Sequence, residues 1–241
     1  MAHRIPQAIF LVLLLSPHVL AAEFRVRPEE SILAVITHKA GLASGMAHNH
    51  LIAAAGYDAK LEFDEASISS ARFELRLRPE DLVVDDPELQ NAWLPRIREL
   101  GILEEPFGDV SDGDRKKIRK SMLSKKQLDA ESFPQITASS LSVRKIAAPT
   151  EATSFAYRVT VVLEIHGKRV EREMSARFTL EDGVLSVEAF GVFQFTDFGI
   201  KPFSAFLGMV KNHNEFHVYT HLVATAQPEA SAEHRRHRGS Q

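Results

Sequence analysis

Five stretches of this chain alternate apolar and polar residues with a period of two, and that period constrains the fold more than any other feature. "YDAKLEFD" (57–64) puts Tyr57, Ala59, Leu61 and Phe63 on one face and Asp58, Lys60, Glu62 and Asp64 on the other. "ARFELRLR" (71–78) sets Phe73, Leu75 and Leu77 against Arg72, Glu74, Arg76 and Arg78. "YRVTVVLEI" (157–165) groups Tyr157, Val159, Val161, Leu163 and Ile165. "VEREMSARFTL" (170–180) groups Val170, Met174, Ala176, Phe178 and Leu180, and "LSVEAFGVFQF" (185–195) groups Leu185, Val187, Ala189, Phe193 and Phe195. Such alternation marks strands with one buried and one wet face. Further strands are expected at 31–38, 136–146 and 212–225, with less cleanly divided faces. "HGK" (166–168) and "EDG" (181–183) carry the glycine of tight hairpins between the runs they join. About eight strands, mostly adjacent in sequence, predict an antiparallel up-and-down barrel rather than a parallel sheet.

Residues 79–130 interrupt this pattern. Asp86 before Pro87 is a helix start, an N-cap followed by proline at the first helical position, and Pro95 is expected to limit that helix. Ser111 and Asp114 stand at capping-box spacing, followed by a narrow stripe of Ile118, Met122 and Leu123. The expected fold class is therefore all-β with a helical insertion: an eight-stranded barrel with a helical excursion at about 85–128, packed on or across a barrel end.

The termini differ in kind from this domain. Arg4, the apolar run "IFLVLLL" (9–15) and small residues through Ala21 and Ala22 read as a secretory signal peptide over residues 1–22, cut after Ala21 or Ala22. That places the mature protein in the periplasm or outside the cell. Residues 23–226 form the expected barrel domain, and the polar segment 227–241 reads as a disordered tail. There is no cysteine, so a hydrophobic core supplies the stability that disulfides give many secreted domains. Net charge is −3, becoming about −4 once Arg4 leaves with the signal, and this mild acidity argues against a nucleic-acid partner.

Chemistry-bearing residues are few. His48 and His50 flank Asn49, and the three letters spell the name of a nuclease motif. In that motif the residues are spread over a ββα unit, so the tripeptide does not qualify. If 48–52 is a strand, the two imidazoles share a side at about 6.6–7 Å of backbone spacing. Two histidines can begin a zinc site, but a third or fourth ligand is needed. His38, His166, His213, His217 and His221 are the candidates, although residues four apart on a strand stand about 13 Å apart. A neutral imidazole can also bond a quinone carbonyl or a phosphate head group, or only satisfy backbone. No nucleophile with an adjacent base and no phosphate-binding loop is visible. "GLASG" (41–45) lacks the lysine and the helix, and Asp85 and Asp86 read as helix capping. Nothing demands an enzyme or a cofactor.

A series of landmarks runs through roughly 31–225. It begins with a strand ending in His38 and "KAGLASG", then "GYDAKLEFDEASISSARFELRLRPEDLVVDDPEL" (56–89). "KSMLSKKQLDAESFPQITASS" (120–140), "LEIHGKRVEREM" (163–174) and "FQFTDFGIKPF" (193–203) follow. In this order they resemble the YceI-like family of secreted lipid-binding proteins. The chain departs from the pattern at Ala138, where an aromatic is common, and in carrying His48, His50 and "IKPFSAFLG". The resemblance implies a lipocalin-like eight-stranded barrel holding a polyisoprenoid or similar long-chain lipid, a quinone among them, without catalysis. Phe63, Phe73, Leu75, Leu77, Val161, Leu163, Phe178, Phe193 and Phe195 are then the lumen candidates, and His48 and His50 the head-group candidates. A packed core accounts for each single apolar residue as well as a tunnel does. Transient membrane contact and a homodimer are compatible with this reading. The alternative is a metal-binding protein or metal-dependent enzyme built on His48 and His50.

Overall fold

The computed structural model describes residues 22–42, 45, 47–146 and 155–227. The expected signal segment, apart from Ala22, and the expected tail, apart from Gln227, lie outside the described residues. The strands are β1 (Ala22–Val26), β2 (Ile32–Ala40), β3 (His50–Ala54), β4 (Asp58–Phe63), β5 (Arg72–Leu77) and β6 (Leu82–Val84). Two helices follow, α1 (Pro87–Glu99) and α2 (Asp112–Leu123). The chain then returns to strands: β7 (Ile136–Lys145), β8 (Tyr157–Ile165), β9 (Lys168–Glu181), β10 (Val184–Gln194), β11 (Ser204–Ala205) and β12 (Val210–Ala226).

Eight antiparallel strands close on themselves in the order β1–β4–β5–β7–β8–β9–β10–β12, with β12 returning to β1 through Phe24 opposite Ala226. Closure leaves these strands no free edge along the circuit. The first half of β12 also pairs with β2, which carries β3 and then β6 as an extension of the wall. Helix α2 packs against β6, and Arg119 donates to the backbone oxygens of Leu82 and Glu80.

Local chemistry explains the elements. The turn from β8 to β9 is His166–Gly167, with φ of 53° and 68°; that from β9 to β10 is Asp182–Gly183, with φ of 50° and 76°. Two successive residues at positive φ match the twist of a two-residue hairpin. Asp86 caps α1 by accepting from the backbone N–H groups of Glu88 and Leu89, and Ser111 caps α2 by accepting from Asp114. Pro95 does not end α1, contrary to expectation: the helix runs on to Glu99. Pro95 is exposed, as is Asn91, whose carbonyl loses its partner to the proline and can turn to water. The helix stops at Gly101, at φ 67°, where Ile102 N–H returns to the Ile97 carbonyl.

The wall separates two apolar layers. Inward residues of the patterned strands, among them Leu61, Leu75, Leu163, Met174, Leu185 and Phe193, form the interior. Outside, Ile32, Ala34, Ile36, Leu51, Ala53 and Tyr219 are covered by Ile97 of α1 and by Ile102, Leu103 and Phe107 just beyond it. This second layer explains the unbroken apolar run at 32–36: β2 is buried on both faces.

Candidate functional site

The barrel encloses a cavity of about 210 Å³. Ile136 and Val143 of β7 both line it, so it runs along about 24 Å of strand. Alanines at inward positions leave the room: Ala138, Ala189, Ala54 and Ala71 all border the void. At one end stand Met122 of α2, Gln127, Leu128 and Ile200. The opposite end is filled with aromatic rings. Phe63 stacks on Phe178 at 5.7 Å, with Phe24 and Tyr157 edge-on to the pair. A second aromatic group lies along the wall, where Phe193, Phe195 and Phe198 surround Phe216 at centroid distances of 4.7–6.2 Å.

Of the nine lumen candidates named from the sequence, Phe73, Leu75, Leu77, Val161, Leu163, Phe178, Phe193 and Phe195 border the cavity; Phe63 lies behind Phe178. The other phenylalanines of the C-terminal third divide. Phe198 lines the void, Phe190 faces outward against Phe155, and Phe203 is exposed. Met122, Leu128, Ala189 and Phe216 also border the cavity but are not among the lumen candidates; the apolar stripe on α2 and the inward parity of β10 were the signals for the first and third. The polar residues along the wall are Thr37, Arg72, Gln127, Ser140, Tyr219 and Thr220, of which Tyr219 turns its hydroxyl outward to Glu188, and among the described residues no Asp, Glu or His lines the cavity. The hydroxyls of Thr37 and Thr220 are buried and find no hydrogen-bond partner. Ser140 is held in place by accepting from the Phe73 backbone N–H.

His48 and His50 do not border the cavity. The strand begins only at His50, so the two-residue alternation that would align the imidazoles does not operate. His48 is exposed and its ring lies so close to Gly108 that a Cβ there would overlap it. His50 Nδ1 donates to Asp85 at 2.6 Å; Asp85, fully buried, also accepts from Leu51 N–H at 2.9 Å and Gln90 at 3.0 Å. Asn49 between them is buried and accepts from the Lys39 backbone N–H. These contacts tie the start of β3 to β2, β6 and α1.

Of the other described histidines, His38, His217 and His221 face the outer wall, and His166 lies in the turn from β8 to β9. His38 Nε2 and His217 Nδ1 share one hydrogen bond at 2.8 Å. Burial, then the neighbouring His217, lowers His38 to about 4, and burial lowers His217 as well. His221 meets Ser186 and the ring of Trp93, and His166 lies on Phe133. Among the described residues no three His, Asp or Glu side chains gather closely enough to hold a metal ion.

The strongest polar cluster clamps α1 to the outside of the barrel. Glu188 of β10, 2% exposed, accepts two hydrogen bonds from Arg96 at 2.8 Å, one from Tyr219 at 2.9 Å and pairs with Arg177 at 2.8 Å. Burial pushes this carboxyl up, but the bonds from Arg96 and Tyr219 and the Arg177 charge outweigh it and leave Glu188 below the usual carboxylate range. Burial, reinforced by the Glu188 charge, raises Tyr219 above the usual phenol value. Sequence periodicity offered no sign of this cluster, because Glu188 occupies an outward position that α1 covers only in three dimensions.

A closed antiparallel barrel with a long apolar interior and a helical insert defines a lipocalin-like class of protein. Comparison with known families is more specific: the YceI-like domain matches residues 25–224, and the chain belongs to that family. Among solved structures, BcnA of Burkholderia cenocepacia shares the fold at a TM-score of 0.57 and 16% identity, covering 83% of this chain and 100% of its own. The YceI protein of Campylobacter jejuni matches at 0.50 and 11%, over 73% of this chain and 85% of its own. A polyisoprenoid-binding domain from Saccharophagus degradans gives 0.47 and 9%, over 86% and 99%. No functionally curated protein matches the chain.

Proposed function

We propose that this protein is a binding protein that carries a long apolar lipid of the polyisoprenoid class in its barrel and catalyses no reaction. The observation behind this reading is the slender void with a wall almost free of hydrogen-bonding groups. A dry apolar void of about 150 Å³ already takes up a benzene ring, and this one is larger and elongated. Membership of the YceI-like family points the same way. Each methylene moved from water into such a wall contributes about 0.8 kcal/mol, so affinity grows with chain length rather than with head-group chemistry. The few wall polar groups, Thr37 and Gln127 among them, suit a ligand carrying one or two oxygens, as a prenylated quinone does. A periplasmic or extracellular location fits the N-terminal segment, and transfer of such a cargo requires contact with a membrane at some stage.

Native mass spectrometry of the protein purified from its own host tests the proposal. A bound isoprenoid or long-chain acyl species, released by organic extraction, is the expected result; absorbance of the extract distinguishes a quinone from a plain polyprenyl chain. Repeated recovery of protein with no hydrophobic ligand, and no uptake of added polyprenol, would sink the reading. Fractionation of the host tests the location.

A further inference from the structure

Four large apolar side chains stand in water on one end of the barrel. Leu42 and Leu207 are fully exposed, at 99% and 108%, and Phe203 and Met209 are nearly half exposed. They form one surface. Strand β11 pairs with the start of β12, so Leu207 and Met209 sit at the tip of that hairpin, and Gly41 packs against the Met209 backbone beside Leu42. Leu207 holds a left-handed backbone conformation, φ 57°, which leucine disfavours. Water gives no reason to keep a group of bare apolar side chains at a strained hairpin tip.

Helix α2 borders this surface. Gln127, just beyond α2, donates to the Lys201 carbonyl at 3.1 Å, two residues before Phe203. Lys116, Lys120, Lys125, Lys126, Lys201 and Lys211 are exposed and form no ion pair among the described residues. Of the acids nearby, Asp112 pairs with Arg115, Asp114 with Lys117, and Glu105 with Lys39, whereas Glu104, Asp109, Asp129 and Glu131 form no ion pair among the described residues. Residues 111–128 themselves carry seven Lys and Arg against only Asp112 and Asp114, a basic stretch in a chain of net charge −3. Met122, Gln127, Leu128 and Ile200, which bound one end of the cavity, belong to the same segments.

We propose that this end of the barrel docks on an anionic lipid bilayer, with Leu42, Phe203, Leu207 and Met209 entering the interface and the α2 lysines lying among the head groups. A few inserted apolar side chains hold a protein to a membrane only marginally, and a polybasic patch supplies the second signal. Both are present, and they flank the cavity end through which an apolar cargo would pass without crossing water. The purpose of docking rests on the carrier reading, but its measurement does not.

The test is co-sedimentation of the full mature protein with phosphatidylcholine vesicles prepared with and without phosphatidylglycerol. Wild type is expected to bind the phosphatidylglycerol vesicles, more weakly as salt is raised. The pair F203D and L207D is expected to lose at least about tenfold in partitioning. The set K116Q, K120Q, K125Q and K126Q is expected to lose about tenfold or more and to become insensitive to salt. Cargo is measured by native mass spectrometry on the same preparations. Variants that keep their cargo but leave the vesicles support docking. Absence of cargo with vesicle binding intact defeats the carrier reading alone. Failure of wild type to bind anionic vesicles, or binding by both variants equal to wild type, overturns the proposal and leaves this surface to a protein partner.

Discussion

Ala138→Phe is the sharpest test of where cargo lies. Ala138 is the third residue of β7, opposite Leu75 of β5 and Leu163 of β8, and all three border the cavity. A benzene ring occupies a void of about 150 Å³, so one phenyl group takes most of the 210 Å³ present. Apolar chain excluded by that ring, at about three or four carbons and 0.8 kcal/mol each, amounts to about 2–3 kcal/mol. Affinity should therefore fall about 30- to 150-fold. Stability should hold or rise, because the ring enters existing space instead of forcing a packed core apart. Displacement of a fluorescent fatty-acid probe, native mass spectrometry and thermal melting would follow the three quantities. Ala189→Leu, on the opposite wall, should act in the same direction with a smaller effect. Full cargo occupancy and unchanged probe affinity in a well-folded Ala138→Phe protein would refute the placement of lipid in the barrel.

Three further outcomes follow from the outer wall and the buried hydroxyls. Glu188→Gln removes the charge that Arg96 and Arg177 face and should cost about 3 kcal/mol in urea unfolding, with faster amide exchange in α1; a loss under about 1 kcal/mol would show that the clamp is dispensable. His38 is held at about 4 in the folded chain, against an ordinary value of 6.5. As pH falls through 6.5 the unfolded imidazole takes a proton that the folded one refuses, so stability should drop until pH reaches about 4 and then level. Allowing for the partial exposure of the pair, the loss attributable to His38 is about 1–2 kcal/mol; chemical melts across this range should show it, and His38→Asn should flatten the curve. Thr37→Val removes a buried hydroxyl with no partner and should stabilise the ligand-free protein by about 1 kcal/mol; destabilisation by a similar amount would mean that the hydroxyl is satisfied in solution.

Much of the barrel is legible in the sequence. All five patterned stretches are strands with the expected inward faces, because a one-residue slip in register would put Asp58, Lys60 or Arg76 into the apolar interior. His166–Gly167 and Asp182–Gly183 marked the two hairpins by the same logic, since few residues tolerate their backbone angles. The short strands β1, β3 and β6 were harder: β6 has three residues, too few to show a period, and β1 lies against the expected signal cleavage site.

The site divides along the same line. Periodicity determines which residues face inward, because a strand's side chains alternate whatever it is packed against. It cannot determine whether the inward faces meet or stand apart, since that depends on how many strands close the circuit and on the summed volume of side chains from all of them. Ala138 is one small residue among several in sequence; it becomes part of a cavity only where Leu75, Leu163 and Ala189 come around it. His48 and His50 show the converse. Their spacing suggested a shared face, but Asp85, thirty-five residues from His50, takes one imidazole, while the Gly108 loop receives the other. Glu188 finds Arg96 and Tyr219 across ninety-two and thirty-one residues. Local pattern set the strands and their faces; long-range closure alone created the void, the helix clamp and the exposed apolar end beside it.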